Sequence, residues 1–361
     1  MKKAIMSAHV RMGAGKNLGD YNQAIAARQF MNVDEFIDRD ELRSYNGEEC
    51  KLIMNGWFMH NPEEFPPSEK IVPLITSFHV SPRKADMILR EDGVNYLKKH
   101  EPIGCRDHVT LKILSDKGIK AYFSGCLTLT LGRTYSHRPE EKNVLFVDPV
   151  LPFTDGSPVK KAFNISIISF MVMHFRKVSV IGRKFRDGIF GMNDGLKGRL
   201  RALYAAAAFF KTYRRMFSEH LLLSADYISN ITSWDGIDKT GNVDKQFMDM
   251  ADGLLKTYEK YPLVITSRIH CALPCTAMGT PVVFMNDRRG RNTMGGIIMG
   301  DGRFDGLIDF FNVIDFDEKW RMKPRNWSID KITEESQVPR KDNWRVYAQK
   351  LAEQCAEFAA N

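Results

Sequence analysis

The sequence contains no apolar run of the roughly 20 residues that a membrane-spanning helix requires. Its longest apolar stretch, residues 163–175, is shorter and includes polar side chains. Two lysines follow the first methionine, but no sufficient apolar core comes after them, so we expect no secretory signal. Six cysteines among 361 residues are too few for a disulfide scaffold, and we therefore expect reduced thiols in a cytoplasmic protein.

The composition excludes several further classes of protein. Hydrophobic residues make up 43% of the chain and charged residues 27%, which is the mixture of an ordinary globular protein. A mainly disordered chain, a collagen-like chain and a polytopic membrane protein are excluded on this basis. At about 150 residues per domain, the length predicts two domains.

The net charge of +8 is concentrated in one segment, residues 160–217. This segment holds 13 lysines and arginines but only two aspartates, so it carries +11 while the rest of the chain carries −3. Apolar residues recur there at helical spacing, with basic residues around them. The apolar positions are Leu196, Leu200, Leu203, Ala207, Phe210 and Phe217, and the basic ones are Arg201, Lys211, Arg214 and Arg215.

Three interpretations of this basic segment stay open. A basic amphipathic helix can lie on an anionic membrane surface. The same pattern also fits a helix that packs on the core and exposes a solvated basic face. Nucleic-acid binding is the third interpretation, but no zinc-finger spacing and no aromatic RNA-binding pattern supports it.

Short apolar runs alternate with helical patterns, which is typical of an α/β fold with parallel sheets. The predicted strands cover residues 51–54, 71–77, 102–105, 119–123, 143–148, 225–229, 263–266 and 281–285. The predicted helices cover residues 21–30, 84–100, 108–117, 245–261, 269–278 and 343–360.

A polar, proline-containing stretch at residues 134–142 favours a domain boundary near residue 140. We therefore predict an N-terminal domain over residues 1–140 and a second domain over residues 141–335. The basic segment forms a helical insertion in the second domain, at about 150–220. Residues 336–361 form a final helical segment.

Three strand–loop–helix segments carry the residues best suited to bind an anion, because ligands of doubly wound sheets bind beyond the carboxyl ends of the strands. In residues 264–284, Arg268 and His270 stand at the entrance of a helix that we expect Thr266 or Ser267 to cap. Arginine matches a carboxylate or a phosphate, and histidine can exchange a proton near neutral pH. The alternative is a structural ion pair for Arg268 and a capping role for His270.

The other two segments are less specific. Residues 103–110 place Arg106 and Asp107 between a strand and a helix, where Asp107 could simply cap the helix and pair with Arg106. Residues 13–22 form a glycine-containing loop that fits neither the P-loop nor the Gly-x-Gly-x-x-Gly pattern. A further glycine-rich basic loop, residues 286–296, could close over an anion, and the alternative is a mobile surface loop.

A metal site is not predicted. Cys271 and Cys275 lie four residues apart beside His270, but there is no Cys-x-x-Cys pair and no fourth ligand nearby. A Gly-x-Ser-x-Gly motif is also absent from the sequence, so nothing supports the hydrolase mechanism built on it.

Taken together, these segments resemble the polysaccharide pyruvyl transferase family. The matching motifs follow the family's order from residue 17 to about 306, and their ordered combination is specific, although none covers residues 150–220. The motifs are Asn17-Leu-Gly-Asp20, Asn55-Gly-Trp-Phe-Met-His60, residues 73–79, Gly104-Cys-Arg-Asp107, residues 122–131, Thr266-Ser-Arg-Ile-His270 with residues 271–274, residues 279–284 and Arg303-Phe-Asp-Gly-Leu307.

The resemblance implies a GT-B-like architecture, in which two Rossmann-like domains with parallel sheets face each other across a cleft. A final helix that returns to the first domain is common in such folds. It also implies phosphoenolpyruvate as donor and a saccharide, possibly lipid-linked, as acceptor, with a pyruvate ketal as product in capsule or exopolysaccharide biosynthesis. No cofactor, metal or nucleic acid is expected.

The resemblance also assigns site residues. Arg268 is expected to clamp the donor and His270 to act as general acid or phosphate partner, with Asp20 or Asp107 as the general base for the sugar hydroxyl. The expected substrate-binding residues are Asn17, Gly19, Asn55, His60, Arg106, Arg288 and Arg303.

Two other functions remain alternatives at this point. A nucleotide-sugar glycosyltransferase shares the two-domain architecture. A non-catalytic basic protein would bind a membrane surface or nucleic acid in a salt-dependent way. For the enzyme itself, residues 160–217 make peripheral attachment to the inner face of the plasma membrane a separate hypothesis.

Overall fold

A computed structural model describes residues 1–8, 16–57, 60–152, 165–191, 195–232, 234, 236–287 and 302–361. The strands in these ranges are β1 (Lys2–Ser7), β2 (Lys16–Asn17), β3 (Glu35–Asp38), β4 (Cys50–Trp57), β5 (Ile71–His79), β6 (Ile103–Cys105), β7 (Ala121–Phe123), β8 (Leu145–Val147), β9 (Asp226–Ile228), β10 (Ile231–Thr232), β11 (Val264–Thr266), β12 (Val282–Asp287), β13 (Asn312–Phe316) and β14 (Met322–Pro324).

The α-helices in the same ranges are α1 (Leu18–Arg28), α2 (Ala85–Ile88), α3 (Glu91–Lys99), α4 (His108–Asp116), α5 (Ile165–Met173), α6 (Phe175–Gly188), α7 (Leu196–Tyr213), α8 (Glu219–Ser224), α9 (Val243–Tyr258), α10 (Ile269–Met278) and α11 (Arg345–Ala360). Short 3-10 helices occupy Pro62–Glu64, Leu127–Arg133 and Ile308–Phe310.

Two six-stranded sheets organise the chain, and the predicted α/β class with parallel sheets is confirmed. The first has the order β3-β1-β4-β5-β6-β7 and is parallel throughout. The second has the order β9-β8-β11-β12-β13-β14 and is parallel except for β14. Counted along the chain, both sheets therefore have the order 2-1-3-4-5-6.

This shared order puts a topological switch point in each sheet, between β1 and β4 in the first and between β8 and β11 in the second. The chain leaves these two neighbouring strands in opposite directions, so a crevice opens beyond their carboxyl ends. Helix α1 follows β1, and helix α10 follows β11. The two helices that begin at the switch points are therefore the first elements to consider for a ligand site.

Three clusters of buried apolar side chains separate the layers. One lies on the face of the first sheet that α3 and α4 cover, and another lies between the second sheet and helices α5 to α8. The largest joins residues of α1, α9, α10 and the 3-10 helix Leu127–Arg133, so it lies between the two sheets. The two halves of the chain thus share one core.

Helix α11 belongs to the end of the chain but contacts the first sheet. The ammonium groups of Lys3 in β1 and Lys51 in β4 donate to the last-turn carbonyls of Ala359 and Phe358, at 3.1 and 3.0 Å. Cations are favourable at this end of a helix because the free carbonyls carry partial negative charge.

The eight predicted strands and most predicted helices lie near observed elements, but β3, β13 and β14 are among the strands that were not predicted. The predicted continuous helix over residues 84–100 is wrong. The structure breaks it between α2 and α3. Arg90 has an extended backbone, and a side chain on Gly93 would collide with the Ile88 carbonyl oxygen. This tight turn brings Leu89 into the core, where it is buried.

The basic insertion is helical in its described part, as helices α5, α6 and α7 show. Half of the apolar stripe read from the sequence faces the core, since Ala207, Phe210 and Phe217 are buried, whereas Leu203 is half-buried and Leu196 and Leu200 are exposed. Within the described ranges, no single helix is long and apolar enough to cross a membrane; the pair α5 and α6 passes that test only jointly, and it is bent by 105°.

Polar contacts also join the two halves of the chain. Strand β2 pairs antiparallel with β10, and the amide of Leu18 donates to the carbonyl of Asn230 at 2.9 Å. The buried hydroxyl of Tyr21 in α1 donates to a carboxylate oxygen of Asp244 in α9, at 2.8 Å.

We expect Tyr21→Phe to lower the free energy of unfolding by about 1–3 kcal/mol, because it leaves a buried carboxylate oxygen without its donor. The matched control is Tyr347→Phe, since that hydroxyl has no hydrogen-bond partner in the described part of the chain. Urea unfolding of both variants measures the difference. Equal midpoints for the two variants would show that the Tyr21 contact does not stabilise the junction.

Candidate functional site

The first turns of α1 and α10 meet where the two switch points face each other. Gly19 in α1 lies so close to His270 in α10 that a side chain on Gly19 would come within 2.7 Å of the His270 Cβ. The side-chain amide nitrogen of Asn22 in α1 donates to the backbone carbonyl of His270 at 2.8 Å, and this hydrogen bond connects the two helices. Only glycine allows this approach, which explains its place in the Asn17–Asp20 motif.

His270 is buried at this junction, and its Nε2 atom has no hydrogen-bond partner among the described residues. Burial lowers its pKa to about 3, and the charge of Arg106 is the next cause, with Arg303 and Arg39 also contributing. These arginines come from both sheets. The imidazole is therefore neutral at pH 7, in a strongly positive environment.

Arg106 follows β6 and is buried, with a Nε atom that has no hydrogen-bond partner in the described ranges. Its Nε lies 3.7 Å from a carboxylate oxygen of Asp107, which is an ion pair without a hydrogen bond. The guanidinium group thus retains donors for an incoming anion.

Both carboxylate oxygens of Asp107 contact neighbouring residues of the first sheet and α4. One carboxylate oxygen accepts from the amide of Thr110 at 2.9 Å and caps α4, and the other lies 2.6 Å from the His79 Nδ1. Burial alone would raise the pKa of Asp107, but His79 and Arg106 together lower it. The capping role considered from the sequence is therefore present.

Asp20 faces the junction from the first turn of α1. It forms a hydrogen-bonded ion pair with Arg39, which follows β3. The Arg39 guanidinium donates to the Asp20 carboxylate at 3.2 Å, and both side chains are almost fully buried. Burial alone would raise the pKa of Asp20, but the charge of Arg39 lowers it below its usual range. Arg39 also lies 4.0 Å from Asp40, whose pKa burial raises.

Arg268 occupies the cap position of α10 and is turned toward β8. Its Nε donates to a carboxylate oxygen of Asp148 at 2.9 Å, which is the structural ion pair considered as its alternative role. Neither expected cap is observed: no side chain of the described residues caps α10, the hydroxyl of Thr266 accepts from the amide of Arg268 itself at 3.0 Å, and that of Ser267 donates to the Asp148 carbonyl.

Asp148 holds this side of the site together. It has a left-handed backbone, with φ of +43°, and its carboxylate also accepts from the hydroxyl of Ser229 and the amide of Asn230. Asn230 in turn accepts from the first amide of α1, at Leu18. One chain of contacts thus connects Arg268 to the start of α1.

Of the other predicted substrate-binding residues, Asn17 and Asn55 contact α1, and His60 packs against Trp57. Asn17 caps α1 by accepting from the Gly19 amide at 3.1 Å, and the buried Asn55 amide donates to the carbonyl of Gln23 in α1 at 3.0 Å. His60 is exposed and packs edge-on against Trp57, with 4.7 Å between ring centroids. The Asn55 contact attaches α1 to β4.

Two predicted residues come from the glycine-rich end of the second sheet. Arg303 lies close enough to His270 to lower its pKa, and its guanidinium carbon is 5.0 Å from the ring centroid of Phe304. Arg288 lies outside the described residues.

Sequence reasoning missed Asp148, Arg39 and Asn22. Asp148 is the last residue of the predicted strand 143–148 and directly follows β8, so the strand-end rule used for Arg268 could have found it. Arg39 sits between two aspartates and Asn22 lies inside a helix, and neither has a local signal because their partners are distant in sequence.

A metal centre is not seen at this junction. No group of three or more histidine, cysteine or acidic side chains could hold a metal ion within the ranges the structure describes. All six cysteines are free and buried, and burial raises the pKa of Cys275 well above its usual value.

Comparison with known proteins agrees with the motifs. The sequence model of the polysaccharide pyruvyl transferase family matches residues 17–288, which is well over half of the chain. No curated protein and no solved structure matches the chain. The family predicted from the motifs is confirmed, and it implies a transferase with a role in polysaccharide biosynthesis and a saccharide acceptor.

We expect Gly19→Ala to destabilise the protein by about 1–3 kcal/mol, because the new methyl group forces α1 away from α10. Gly253→Ala is the matched control, since a side chain on this helical glycine meets nothing within 4 Å. That change should be neutral or stabilising by up to about 1 kcal/mol. Unfolding midpoints of the two variants test this, and equal stability would contradict the described approach of the helices.

Proposed function

Because the chain belongs to the polysaccharide pyruvyl transferase family, we propose that it transfers the pyruvyl group of phosphoenolpyruvate to a saccharide and forms a cyclic ketal. The donor binds where α1 meets α10. The observation that carries this proposal is the buried His270, whose ring nitrogen lacks a partner among the described residues while arginines of both sheets surround it.

The charge of the site suits this donor. Phosphoenolpyruvate carries a carboxylate and a phosphate within three carbons, so it requires several cationic groups that converge from different directions. Arg106 comes from the first sheet, and Arg268 and Arg303 come from the second part of the chain. No side chain caps α10, so the positive end of its dipole adds to the attraction for an anion.

The proposed reaction balances without a redox partner. A proton adds to C3 of the donor, and an acceptor hydroxyl oxygen forms a bond to the cation-like C2. The C2–O bond to phosphate breaks, and a second hydroxyl of the same saccharide attacks C2 to close the ring. Of the two hydroxyl protons released, one balances the proton gained by C3 and the other leaves on inorganic phosphate.

His270 is the proposed proton donor. It is neutral in the free protein, but a bound dianion offsets the field of the arginines and raises its pKa. The residue then takes up a proton and can deliver it to C3 or to the departing phosphate.

Asp20 is the better of the two carboxylates for the role of general base. It is ionised, faces the junction beside His270, and is held by Arg39. Asp107 has both oxygens engaged with Thr110 and His79, so we assign it to positioning Arg106.

The acceptor is proposed to be a unit of a capsule or exopolysaccharide, free or lipid-linked. Two Rossmann-like domains that face each other in the GT-B manner would admit it from the side opposite the donor. The identical strand order of the two sheets supports this arrangement.

Arg106→Gln should raise the KM for phosphoenolpyruvate by more than about tenfold, because it removes a buried cation from the donor site. Arg83→Gln is the control, since Arg83 is an exposed arginine in the turn after β5 of the same sheet and has no ion pair in the described part of the chain. Release of inorganic phosphate in the presence of a panel of saccharides measures both. An unchanged KM in Arg106→Gln would exclude this residue from the donor site.

Donor affinity should increase as the pH falls from about 8 to about 5, because the bound state takes up a proton that the free state, with a His270 pKa of about 3, does not hold. In His270→Gln this dependence should disappear and phosphate release should fall by about 100-fold or more. Titration with phosphoenolpyruvate at several pH values provides the measurement. The proton-donor role would be wrong if wild type and variant gave the same pH profile.

A further inference from the structure

Exposed apolar side chains concentrate in the basic insertion, away from the donor site. Among the described residues, eight large hydrophobic side chains are exposed, and six of them lie between residues 165 and 200. Scattered exposed apolar residues are ordinary, but a concentration of them marks a contact surface.

Three of these six residues lie where α5 and α6 meet at 105°, and a fourth lies at the start of α5. We call Ile165, Val172, Met173 and Phe175 the apolar corner; their side chains are 80%, 69%, 72% and 57% exposed. Ile165 and Val172 lie two turns apart on one face of α5. Met173 ends α5, and Phe175 begins α6.

The opposite face of α5 is firmly attached to the domain. Ile167 and Phe170 are buried, and the ring of Phe170 lies 6.0 Å from that of Phe210 in α7. The apolar corner is therefore held outward by a packed helix.

Cations surround the apolar corner. Lys211 donates to the backbone carbonyl of Ser166 at 3.1 Å, and the Arg214 guanidinium lies 5.0 Å from the ring centroid of Phe170. Glu219 pairs with Arg214 and with Lys177. Arg176 and Arg215 are exposed and have no ion-pair partner in the described ranges, so the surroundings keep a net positive charge.

We propose that the apolar corner inserts into the interface of an anionic lipid bilayer while the surrounding cations meet the lipid headgroups. Exposed apolar side chains bordered by lysine and arginine are what such a surface binds. A second copy of the chain is a poorer occupant, because it would bring two positively charged surfaces together. Nucleic acid is also a poorer occupant, because it would contact the cations but leave the side chains of the apolar corner exposed to water.

This surface differs from the helix that the sequence suggested. Arg201 of that helix contacts the ring of Phe190 at 4.9 Å, and Lys211 and Arg214 have partners within the domain. The proposal does not depend on the donor chemistry, so either can fail without the other.

Co-sedimentation of the full chain with vesicles tests the proposal. The vesicles contain phosphatidylcholine alone or phosphatidylcholine with phosphatidylglycerol. Wild type should bind the anionic vesicles, and less so as salt increases. The double variant Met173→Ser/Phe175→Ser should bind more than about tenfold more weakly, and Val346→Ser, another exposed apolar residue on α11, should bind as wild type does.

A second variant separates the charge from the apolar contribution. Arg176→Gln/Arg215→Gln should weaken binding to anionic vesicles and reduce its salt dependence. The proposal is overturned if wild type stays in the supernatant with anionic vesicles, or if Met173→Ser/Phe175→Ser binds as wild type does. It is also overturned if wild type binds no vesicles and is a dimer that this double variant dissociates, because the corner would then join two copies of the chain.

Discussion

The close approach of α1 to α10 is the contact on which the rest of the structure depends. Gly19 leaves no room for a side chain against His270, and the Asn22 amide fixes the His270 carbonyl. This contact brings the switch points of two sheets with the same strand order into one place. Charged residues that belong to separate sheets then act on a single imidazole.

Three arginines of the site, Arg268, Arg39 and Arg106, each have a carboxylate nearby, but only two of these pairs are hydrogen-bonded. Arg268 and Arg39 donate hydrogen bonds to Asp148 and Asp20, whereas Arg106 is 3.7 Å from Asp107. A buried cation without a hydrogen-bonded partner is costly, and an anionic ligand removes that cost. The site is thus arranged to gain free energy when a small dianion binds, which is the property that the proposed donor chemistry requires.

Local patterns predicted much of the fold, because strand runs, helix caps and the Gly279 end of α10 are encoded by neighbouring residues. They also placed Arg268, His270 and Asp20 at strand ends. Local patterns did not predict contacts between residues that are distant in sequence. The strand-end rule marks Asp148 but does not identify Arg268 as its partner. The break in the predicted helix over residues 84–100 depends on the packing that buries Leu89 and on the close approach of Gly93 to the Ile88 carbonyl. The α7 stripe was ambiguous because buried and membrane-facing apolar residues have the same period.

We propose that the junction of α1 and α10 is a site for a three-carbon dianion and not for a nucleotide. Calorimetric titration of the purified protein with phosphoenolpyruvate and, separately, with uridine diphosphate tests it most directly. We expect saturable binding of phosphoenolpyruvate that Arg106→Gln weakens, and no binding of uridine diphosphate. Saturable binding of uridine diphosphate together with no binding of phosphoenolpyruvate would contradict it and favour a nucleotide-sugar glycosyltransferase.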